Sequence, residues 1–403
     1  MRDIYSAIKV TDSVYWVGAI DWTIRDFHGY TTPHGSTYNA YLIMADKITL
    51  IDTVKKPFMG EMLARIKSVV DPSKIKYIVS NHSELDHSGC LPEVIDFIKP
   101  EKVFASAVGV KTLRELLHHR HEIAPVKDGE VLSLGNMELN FMETRMIHWP
   151  DSMFTYLAKD ELLFSQDAFG MHLATLERFA DEIPAATLEY EGATYYANIV
   201  LPYSPIVLKA LEKVLASGLK IKIIAPDHGP IWRRDISWII DLYKKWASQK
   251  PTAKAVVVYA TMWHSTEKMA RAVSESLAEA GVKVKLISMN ETHRSEAAYE
   301  VLDAGALIVG SPTLNNNILP QMADVMTYLK GLKPANKIGA AFGSYGWSGE
   351  SVKHLEAILK EMKVDMVAES VAVKNAPDHD VLEKCHDLGK AIAAELLKRT
   401  ASS

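Results

Sequence analysis

The chain has 403 residues, of which 45 are basic and 50 acidic, and its formal net charge is -5. This length suits two substantial domains, and the near-even charge lacks the basic face that binding to a nucleic acid requires. The only two cysteines, Cys90 and Cys385, form neither a disulfide framework nor a Cys-x-x-Cys pair, which indicates a cytosolic redox context.

The N-terminal segment, MRDIYSAIKVTDSVYWVG, carries charge throughout and lacks the apolar core of a signal peptide. No apolar run elsewhere approaches the length of a membrane span. We therefore expect a cytoplasmic protein that is neither exported nor inserted into a membrane.

The first part of the chain is rich in predicted strands. Apolar and β-rich runs predict strands at 14–19, 38–44, 48–52 and 75–80, and around 102–105, 138–143, 153–158, 162–165 and 221–225. Helical spacing predicts helices at 58–70 and 90–98 and a longer helical region over about 184–217. This mixture predicts an α/β fold with substantial antiparallel content.

Near Lys250 the pattern changes to a regular alternation of strands and helices, so we place a domain boundary there and expect domains at 1–250 and 251–403. Strands are predicted at 255–260, 283–288, 305–310, 337–342 and 366–371. Helices are predicted near 266–280, 319–331, 349–362 and 380–398. Five such units predict a doubly wound parallel sheet.

A polar segment, NHSELDHSG, directly follows the predicted strand at 75–80. It contains four potential metal ligands within six residues: His82, Glu84, Asp86 and His87. Burying several such groups at a strand end costs several kcal/mol for each uncompensated charge, so a partner such as a metal is expected. The alternative is a solvated, charged loop.

Three later residues also follow predicted strands. They are His148 in MIHWPDSM, Asp167 in FSQDAFG and His228 in APDHGP. Any one of them alone is more typical of a turn or capping residue than of a ligand. The repetition of one position, the carboxyl end of a strand, favours a single converging site.

The order and contexts of these residues resemble the metallo-β-lactamase fold, with its His-x-His-x-Asp-His loop and a later His, Asp and His. Glu84 departs from that pattern, because it replaces the second histidine of the loop. Zinc hydrolases use nitrogen-rich sites, whereas mixed histidines and carboxylates suit iron that changes oxidation state. The exchange therefore favours iron over zinc.

Three loops of the C-terminal part carry hydroxyls, amides and aromatic rings at the ends of predicted strands. Their candidate flavin-binding residues are Thr261, Met262, Trp263, His264, Ser265, Thr266, Pro312, Thr313, Leu314, Asn315, Asn316, Asn317, Ser344, Tyr345, Gly346, Trp347, Ser348 and Gly349. Backbone N–H groups at a helix start, with nearby hydroxyls, can bind a phosphate, and aromatic planes can shield a flavin ring. An ordinary helix cap and core aromatics are the alternatives.

Together these loops resemble a flavodoxin, which binds FMN at the switch point of a sheet of order 2-1-3-4-5. His264 departs from that pattern, because flavodoxins more often carry glycine there. No Gly-x-Gly-x-x-Gly follows the first strand of either domain, which disfavours a dinucleotide.

Over essentially the whole chain, this combination resembles the flavodiiron proteins, also called A-type flavoproteins. FHGYTT, ETRMIHWPDSM, YYANIV and GSYGWSGES also carry the resemblance. It implies an N-terminal metallo-β-lactamase-like αββα sandwich and a C-terminal flavodoxin-like domain. It further implies one iron on His82, Glu84 and His148, a second on Asp86, His87 and His228, and a bridging Asp167. In some family members the residue that matches His87 is displaced from the metal.

The resemblance also implies the activity of a terminal reductase. Electrons from rubredoxin or a similar small carrier would enter at FMN, pass to the di-iron centre and reduce O2 to water or NO to N2O, with O2 the favoured substrate. A head-to-tail homodimer, or a dimer of dimers, would bring each FMN beside the iron pair of the other copy. His28, Tyr195 and Tyr196 are candidates for hydrogen bonding around the metals, and equally for plain core residues.

Two other functions remain open from the residues themselves. One is a binuclear zinc hydrolase acting on an ester or thioester, with an accessory flavodoxin-like domain. The other is an electron-transfer module in which the metal site is only structural. Glu84 and the flavin loops disfavour the hydrolase.

Overall fold

The computed structural model describes residues 5–401, which form two compact units. The first unit contains the chain up to Tyr195 together with Pro205–Lys244. The second contains Tyr196–Ser204 and the chain from Lys245 onward. Because one short segment of the second unit lies within the sequence of the first, the boundary at residue 250 stays a prediction.

The first part of the chain alternates short strands with helices. Its strands are β1 (Ile8–Lys9), β2 (Val14–Trp16), β3 (Ala19–Asp21), β4 (Asp26–Phe27), β5 (Tyr30–Thr31), β6 (Ser36–Tyr38), β7 (Tyr41–Ile43), β8 (Thr49–Ile51), β9 (Tyr77–Ser80), β10 (Lys102–Ser106), β11 (Ala124–Val126), β12 (Val131–Ser133), β13 (Glu138–Glu143), β14 (Met153–Leu157), β15 (Leu162–Gln166) and β16 (Ile223–Pro226). Its α-helices are α1 (Met59–Lys67), α2 (Leu85–Ser88), α3 (Leu91–Ile98), α4 (Ala107–Leu117), α5 (Ala185–Tyr195), α6 (Ser204–Ala216) and α7 (Ile236–Ser248). Short 3-10 helices lie at Lys56–Phe58, Pro72–Lys74, Ala158–Asp160, Ala180–Glu182 and Leu201–Tyr203.

Two mixed sheets form the centre of the first unit. Their strand orders are β1-β2-β7-β8-β9-β10-β11 and β12-β13-β14-β15-β16. Apolar side chains from the two sheets share one core, in which Tyr41 packs on Phe164 at 5.2 Å between ring centroids. A second core contains Met62 of α1 and Leu91 of α3 on the other face of the seven-stranded sheet. These layers confirm the αββα sandwich.

The predicted metal ligands follow strands that end at the same edges of these sheets. His82 comes two residues after β9, Asp167 directly after β15 and His228 two residues after β16. His148 lies in the connection after β13, which runs in the same direction as β15 because both pair antiparallel with β14. The strand directions therefore explain why residues distant in sequence converge.

The predicted strands at 14–19 and 38–44 are each divided in the structure. β2 and β7 belong to the seven-stranded sheet, whereas β3 and β6 form a separate pair. The chain crosses between the two sheets at Gly18, where an added Cβ would lie only 2.2 Å from the carbonyl oxygen of Tyr38. The close backbone approach requires glycine at that point.

The predicted helical region over 184–217 is likewise interrupted. After α5 the chain forms a π-helical stretch at Tyr196–Val200 and a 3-10 turn at Leu201–Tyr203, before α6 begins. Pro202 and Pro205 lack the N–H group that a continuous helix would need at these positions. The apolar spacing predicted the helices but not this change of hydrogen bonding.

The second unit contains a parallel sheet covered by helices. Its strands are β17 (Thr252–Tyr259), β18 (Lys283–Ser288), β19 (Ala304–Gly310), β20 (Thr313–Leu314), β21 (Asn317–Ile318), β22 (Ile338–Tyr345), β23 (Asp365–Met366) and β24 (Val371–Lys374). Its helices are α8 (Ser265–Glu279), α9 (Arg294–Val301), α10 (Pro320–Leu332), α11 (Glu350–Glu361) and α12 (His379–Ala401). The order β18-β17-β19-β22-β23 is the predicted 2-1-3-4-5 arrangement.

Two details of the second unit differ from the sequence prediction. The fifth strand is split into β23 and β24, and between them the Ser370 hydroxyl accepts a hydrogen bond from Ala341 N at 3.3 Å, in place of a backbone partner. Helix α9 was not predicted, because the tract around it is polar and has little helical apolar spacing.

None of the helices within residues 5–401 is both long enough and apolar enough to cross a bilayer.

Lys337, just before β22, is a buried cation in the second unit. It is 2% exposed, and its Nζ donates a hydrogen bond to the Ala304 carbonyl at 2.5 Å. Burial lowers the pKa of Lys337 from 10.5 to about 8. The unfolded chain therefore binds more protons between pH 8 and 10.5, so this lysine makes the free energy of unfolding rise with pH over that interval.

Replacing Lys337 by methionine removes the buried charge and retains an unbranched side chain. We expect the free energy of unfolding at pH 7 to increase by about 1–2 kcal/mol, because desolvation of the ammonium group no longer opposes folding. The increase with pH above 8 should also become smaller. Urea denaturation at several pH values measures both effects, with the exposed Lys333→Met as control. An unaltered pH profile in the Lys337 variant would contradict the prediction.

Candidate metal centre and flavin site

Four buried side chains form one potential metal-binding group: His82, Glu84, His148 and Asp167. One ligand atom from each lies within 4.8 Å of all the others. Glu84 Oε2 lies 3.1 Å from His82 Nε2 and 3.2 Å from His148 Nε2. The donor set is therefore two imidazole nitrogens and two carboxylates.

A second group consists of Asp86, His87 and His228, which are also buried. Asp86 Oδ1 lies 3.4 Å from His87 Nε2, and Asp86 Oδ2 lies 3.2 Å from His228 Nε2. We refer to the seven residues of the two groups as the ligand cluster. The structure thus brings together every residue that the sequence predicted as a metal ligand, including His87.

Asp167 is shared by the two groups. Its Oδ2 lies 2.9 Å from His148 Nε2 and 3.3 Å from His82 Nε2. Its Oδ1 lies 3.1 Å from His87 Nε2 and 3.5 Å from His228 Nε2. One carboxylate oxygen therefore faces each group, which is the arrangement that a bridging ligand requires.

The chemistry of the cluster fits cations. His87 Nε2 and Asp167 Oδ1 lie 3.1 Å apart, yet neither atom makes an aligned hydrogen bond within the described chain, and the same holds for Asp86 Oδ1. Buried polar atoms without hydrogen bonds are costly and rare in folded proteins. Nitrogen and oxygen atoms that lie this close without bonding to each other are explained if their lone pairs point at a shared cation.

Hydrogen bonds within the cluster also determine the charge of Glu84. Burial alone would raise the pKa of Glu84, but hydrogen bonds from His148, His28 and His82 outweigh burial and lower it. The carboxylate is therefore ionised at neutral pH. An anionic oxygen at this position suits a hard cation such as iron.

Polar groups face the Nδ1 atoms of three ligand histidines, and the one that faces His228 is within hydrogen-bonding distance. His228 Nδ1 lies 2.6 Å from the Thr37 carbonyl, His82 Nδ1 lies 3.6 Å from Asp151, and His87 Nδ1 lies 3.7 Å from Asp227. Each Nε2 faces the carboxylates of the cluster, and for His228 the Thr37 carbonyl orients the ring, as in metal sites where a partner positions the ligating histidine. Sequence reasoning missed Asp151 and Asp227, although each stands close to a predicted ligand in the sequence.

Of the residues behind the cluster, Asp227 makes the fewest side-chain hydrogen bonds. Both of its carboxyl oxygens are buried and lack a hydrogen bond within the described residues. Burial raises the pKa of Asp227 well above its ordinary value, and the nearby carboxylates Asp52 and Asp167 raise it further. Together with His87 and Asp167 it forms a third, overlapping group of potential ligands.

His28 lies at the tip of a β-hairpin formed by β4 and β5. His28 and Gly29 both have positive φ, 51° and 80°, as a type I′ turn requires. The turn places His28 Nε2 in contact with Glu84 Oε1, while 54% of the histidine side chain remains exposed. This hydrogen bond raises the pKa of His28.

The two candidate tyrosines have different surroundings. Tyr195 is buried near the cluster, with its ring 5.2 Å from the ring of His172 and 6.2 Å from that of His228. Tyr196 belongs to the second unit, where its hydroxyl lies 3.0 Å from Ser204 Oγ and its ring packs against Trp246. Of the two, Tyr195 is the one that the structure brings to the ligand cluster.

His172 is a further residue of the site that the sequence did not reveal. Its ring lies 4.5 Å from the ring of His228, and its Nδ1 lies 2.6 Å from Ser36 Oγ. Burial lowers the pKa of His172 well below its ordinary value, and nearby His228 lowers it further, so the ring is neutral. No local motif marks His172, because its partner Ser36 is 136 residues away in sequence.

A cavity of about 270 Å³ lies at the carboxyl ends of the strands in the second unit. Predicted flavin residues line it from all three loops: Thr261, Met262, Trp263, Ser265, Pro312, Thr313, Ser344, Tyr345 and Gly346. Asn375 and Ala376, which follow β24, complete the lining and were not predicted.

The remaining predicted flavin residues are not among those that line this cavity. Thr266 Oγ1 lies 3.0 Å from Ser344 Oγ, and Ser348 Oγ donates to Asn316 Oδ1 at 3.2 Å. The other residues in these loops are Leu314, Asn315, Asn317, Trp347 and Gly349. His264 caps the start of α8 with φ 62°, a left-handed conformation that explains why glycine is common at this point.

The cavity fits the phosphate end of a flavin nucleotide. Helix α8 begins at Ser265, so its first N–H groups face the loop that starts at Thr261. The Thr261 hydroxyl is buried and lacks a hydrogen bond within the described residues. A free donor beside a helix N-terminus is the combination that an anionic phosphate satisfies.

Comparisons with known proteins agree with the fold of both units. A family model described as ODP family beta lactamase matches residues 37–229, and a flavodoxin model matches residues 257–389. The chain is 49% identical to the rubredoxin-oxygen oxidoreductase of Megalodesulfovibrio gigas, over 98% of this chain and 100% of that protein. It is 45% identical to a nitric oxide reductase of Moorella thermoacetica, over 96% of this chain and 98% of that protein.

A solved structure gives the same result. The crystal structure of the flavodiiron protein from Giardia intestinalis has a TM-score of 0.96 and 33% sequence identity to this chain, covering 100% of this chain and 99% of that one. The agreement extends over both units and includes the predicted fold of each. The chain therefore belongs to the flavodiiron protein family.

Proposed function

We propose that this chain is a flavodiiron reductase. It takes electrons from rubredoxin or a similar small carrier through FMN to a non-haem di-iron centre, and reduces O2 to water, NO to N2O, or both. The main support is Asp167, whose two oxygens face two separate groups of histidines and carboxylates. The names of the relatives from Megalodesulfovibrio gigas and Moorella thermoacetica support O2 and NO as substrates.

The ligand cluster divides naturally between two metals. One iron would be held by His82, Glu84 and His148, the other by Asp86, His87 and His228, with Asp167 common to both. Three carboxylates offset the charge of two cations in a buried site, which supports iron that changes oxidation state.

The flavin would occupy the cavity at the start of α8. The N–H groups of that helix and the hydroxyls of Thr261 and Ser265 would hold the phosphate. At about 270 Å³ the cavity is smaller than a pocket that encloses a whole drug-sized ligand, which is roughly 300–1,000 Å³. Part of the flavin ring would therefore remain accessible to a redox partner.

When bound, FMN supplies one-electron and two-electron transfer, and the iron pair supplies a binding site for the diatomic gas. The chain's own residues control the surroundings of that reaction. Tyr195 and Phe27 pack close to His172 and exclude water from one side of the cluster. His28 reaches from the cluster towards solvent and can pass on the protons that the reaction consumes, because its Nε2 contacts Glu84.

We extend the proposal to the protein partners. Trp263 and Trp347, at the flavin loops, are 87% and 91% exposed, and large exposed aromatics favour contact with another protein. Rubredoxin as the donor is supported by the name of the Megalodesulfovibrio gigas relative. A head-to-tail homodimer rests on the family resemblance, and sedimentation of the purified protein would test it.

The two alternatives receive less support. A binuclear zinc hydrolase would need no carboxylate at position 84, and the relatives are named as redox enzymes. An electron-transfer module would not need two groups of ligands that share Asp167.

Metal analysis and a visible spectrum test the proposal together with gas consumption. We expect iron and a yellow flavin in the purified protein, and consumption of O2 or NO when reduced rubredoxin is added. Zinc with flavin would support the hydrolase instead, and flavin without metal would support the carrier. Rates with O2 and NO under the same reduced donor determine the preferred gas.

A further inference from the structure

The first unit contains an apolar cavity of about 40 Å³ on the side of the five-stranded sheet that carries α6 and α7. Val207, Ala210 and Leu211 of α6 line it from one side, and Ile240 and Tyr243 of α7 from another. Strand residues Phe154, Leu163 and Ile224 form its inner wall. Leu215, which is 74% exposed, lies at its rim.

This cavity is large enough for a diatomic molecule and is poorly suited to water. About 10–15 Å³ suffices for one water-sized molecule, so a volume of about 40 Å³ leaves room for a gas molecule. The only polar side chain in the lining is that of Tyr243, and its hydroxyl already accepts a hydrogen bond from Phe169 N at 2.7 Å. Apolar cavities of this kind remain dry and take up xenon or small apolar molecules.

The cavity reaches residues that are directly bonded to members of the ligand cluster. Ile147 directly precedes His148 and Ala168 directly follows Asp167, and both line the cavity together with Phe169, the next residue along the chain. Gln166 fixes this wall, because its Nε2 donates to the Ile147 carbonyl and its Oε1 accepts from Asp167 N at 2.7 Å. The cavity wall and the ligand cluster therefore share the two chain segments that carry His148 and Asp167.

We propose that this cavity binds the diatomic gas and is its entry route to the ligand cluster. The proposal rests on the function proposed above, and it assigns a site to the uncharged, weakly polar substrate. Among residues 5–401, the wall of the cavity carries no charged side chain, which suits such a substrate.

Xenon tests the binding site independently of turnover. Crystals of the holoprotein are pressurised with xenon, and its anomalous signal is located in the wild type, in Ala210→Met and in Ala216→Met. Ala210 lines the cavity, and Ala216 is an exposed residue of the same helix outside it, so the two variants make the same chemical change. We expect xenon in the cavity of the wild type and of Ala216→Met, and none in Ala210→Met.

The same variants test the route. With reduced donor, Ala210→Met should raise the KM for the gas about fivefold while kcat changes by less than about twofold, because entry is hindered and the reacting site is untouched. Ala216→Met should match the wild type. If the methionine at position 210 impairs folding, Leu211→Ala provides the opposite change, and it should increase xenon occupancy.

Two results would overturn the proposal: no xenon in the wild-type cavity, or an Ala210→Met protein that excludes xenon and keeps the wild-type KM for the gas. Failure of the proposed reductase function would give a different result from failure of the gas-binding site. A holoprotein that binds xenon in the cavity but reduces neither O2 nor NO would refute the reductase and support the gas-binding site.

Discussion

Replacing Asp167 by asparagine is expected to lower the rate of gas reduction at least about a hundredfold and to reduce the iron content by more than half. Within the ligand cluster, Asp167 has one oxygen facing each of the two groups. Asparagine has nearly the same shape but only one oxygen, and its amide nitrogen is a hydrogen-bond donor without a lone pair for a metal. The substitution also removes one of the negative charges that offset the cations.

The loss should be confined to the metal site. Iron is measured by elemental analysis, flavin by its visible absorbance and gas reduction with a reduced donor. Because Asp167 and the flavin cavity lie in different units, the flavin content should remain at the wild-type level. Asp96→Asn, a change of the same kind at a carboxylate that is 73% exposed, serves as control. An Asp167→Asn protein that keeps its iron and its rate would refute the bridging role.

The ligand cluster could be predicted from sequence because its members carry strong local signals. His82, Glu84, Asp86 and His87 fall in one loop directly after a strand, and the other three occupy equivalent strand ends. The direction of a strand determines where its carboxyl end lies, so repeated strand-end positions predict convergence. This reasoning needs no knowledge of side-chain packing.

The residues that support the cluster could not be found in the same way. Asp151 accepts a hydrogen bond from Ser83 N across 68 residues of sequence, and Ser36 lies 2.6 Å from a ring nitrogen of His172 across 136. Such pairs depend on how the sheets and loops pack, and neither residue type is unusual in a turn. Sequence spacing therefore gives no signal for them.

At the flavin cavity, a wrongly predicted strand end led to lining residues being missed. The sequence predicted a fifth strand ending at residue 371, but β24 continues to Lys374, and the loop that lines the cavity begins at Asn375. The other three loops were predicted because their strands end where the apolar runs end. A short, half-exposed strand such as β24 lacks a clear apolar run and leaves its end undetermined.

Replacing Ser265 by glutamate is expected to remove FMN from the protein and to lower donor-driven gas reduction at least about a hundredfold, because a carboxylate at a helix N-terminus competes with the phosphate for the same N–H groups and repels it. Ser265 is the first residue of α8 and lines the flavin cavity. Flavin absorbance, equilibrium binding of added FMN and the rate with reduced donor measure the effect.

The control for this substitution is Ala278→Glu, which adds the same charge at an exposed position near the other end of α8. It should leave FMN binding unchanged. Iron should remain in both the Ser265 and the Ala278 variant. Ser265→Glu and Asp167→Asn should therefore give opposite patterns of flavin and iron, although both strongly lower donor-driven reduction. A Ser265→Glu protein with a full complement of FMN would show that the phosphate is held elsewhere. Loss of iron in that variant would show that the two sites do not bind their cofactors independently.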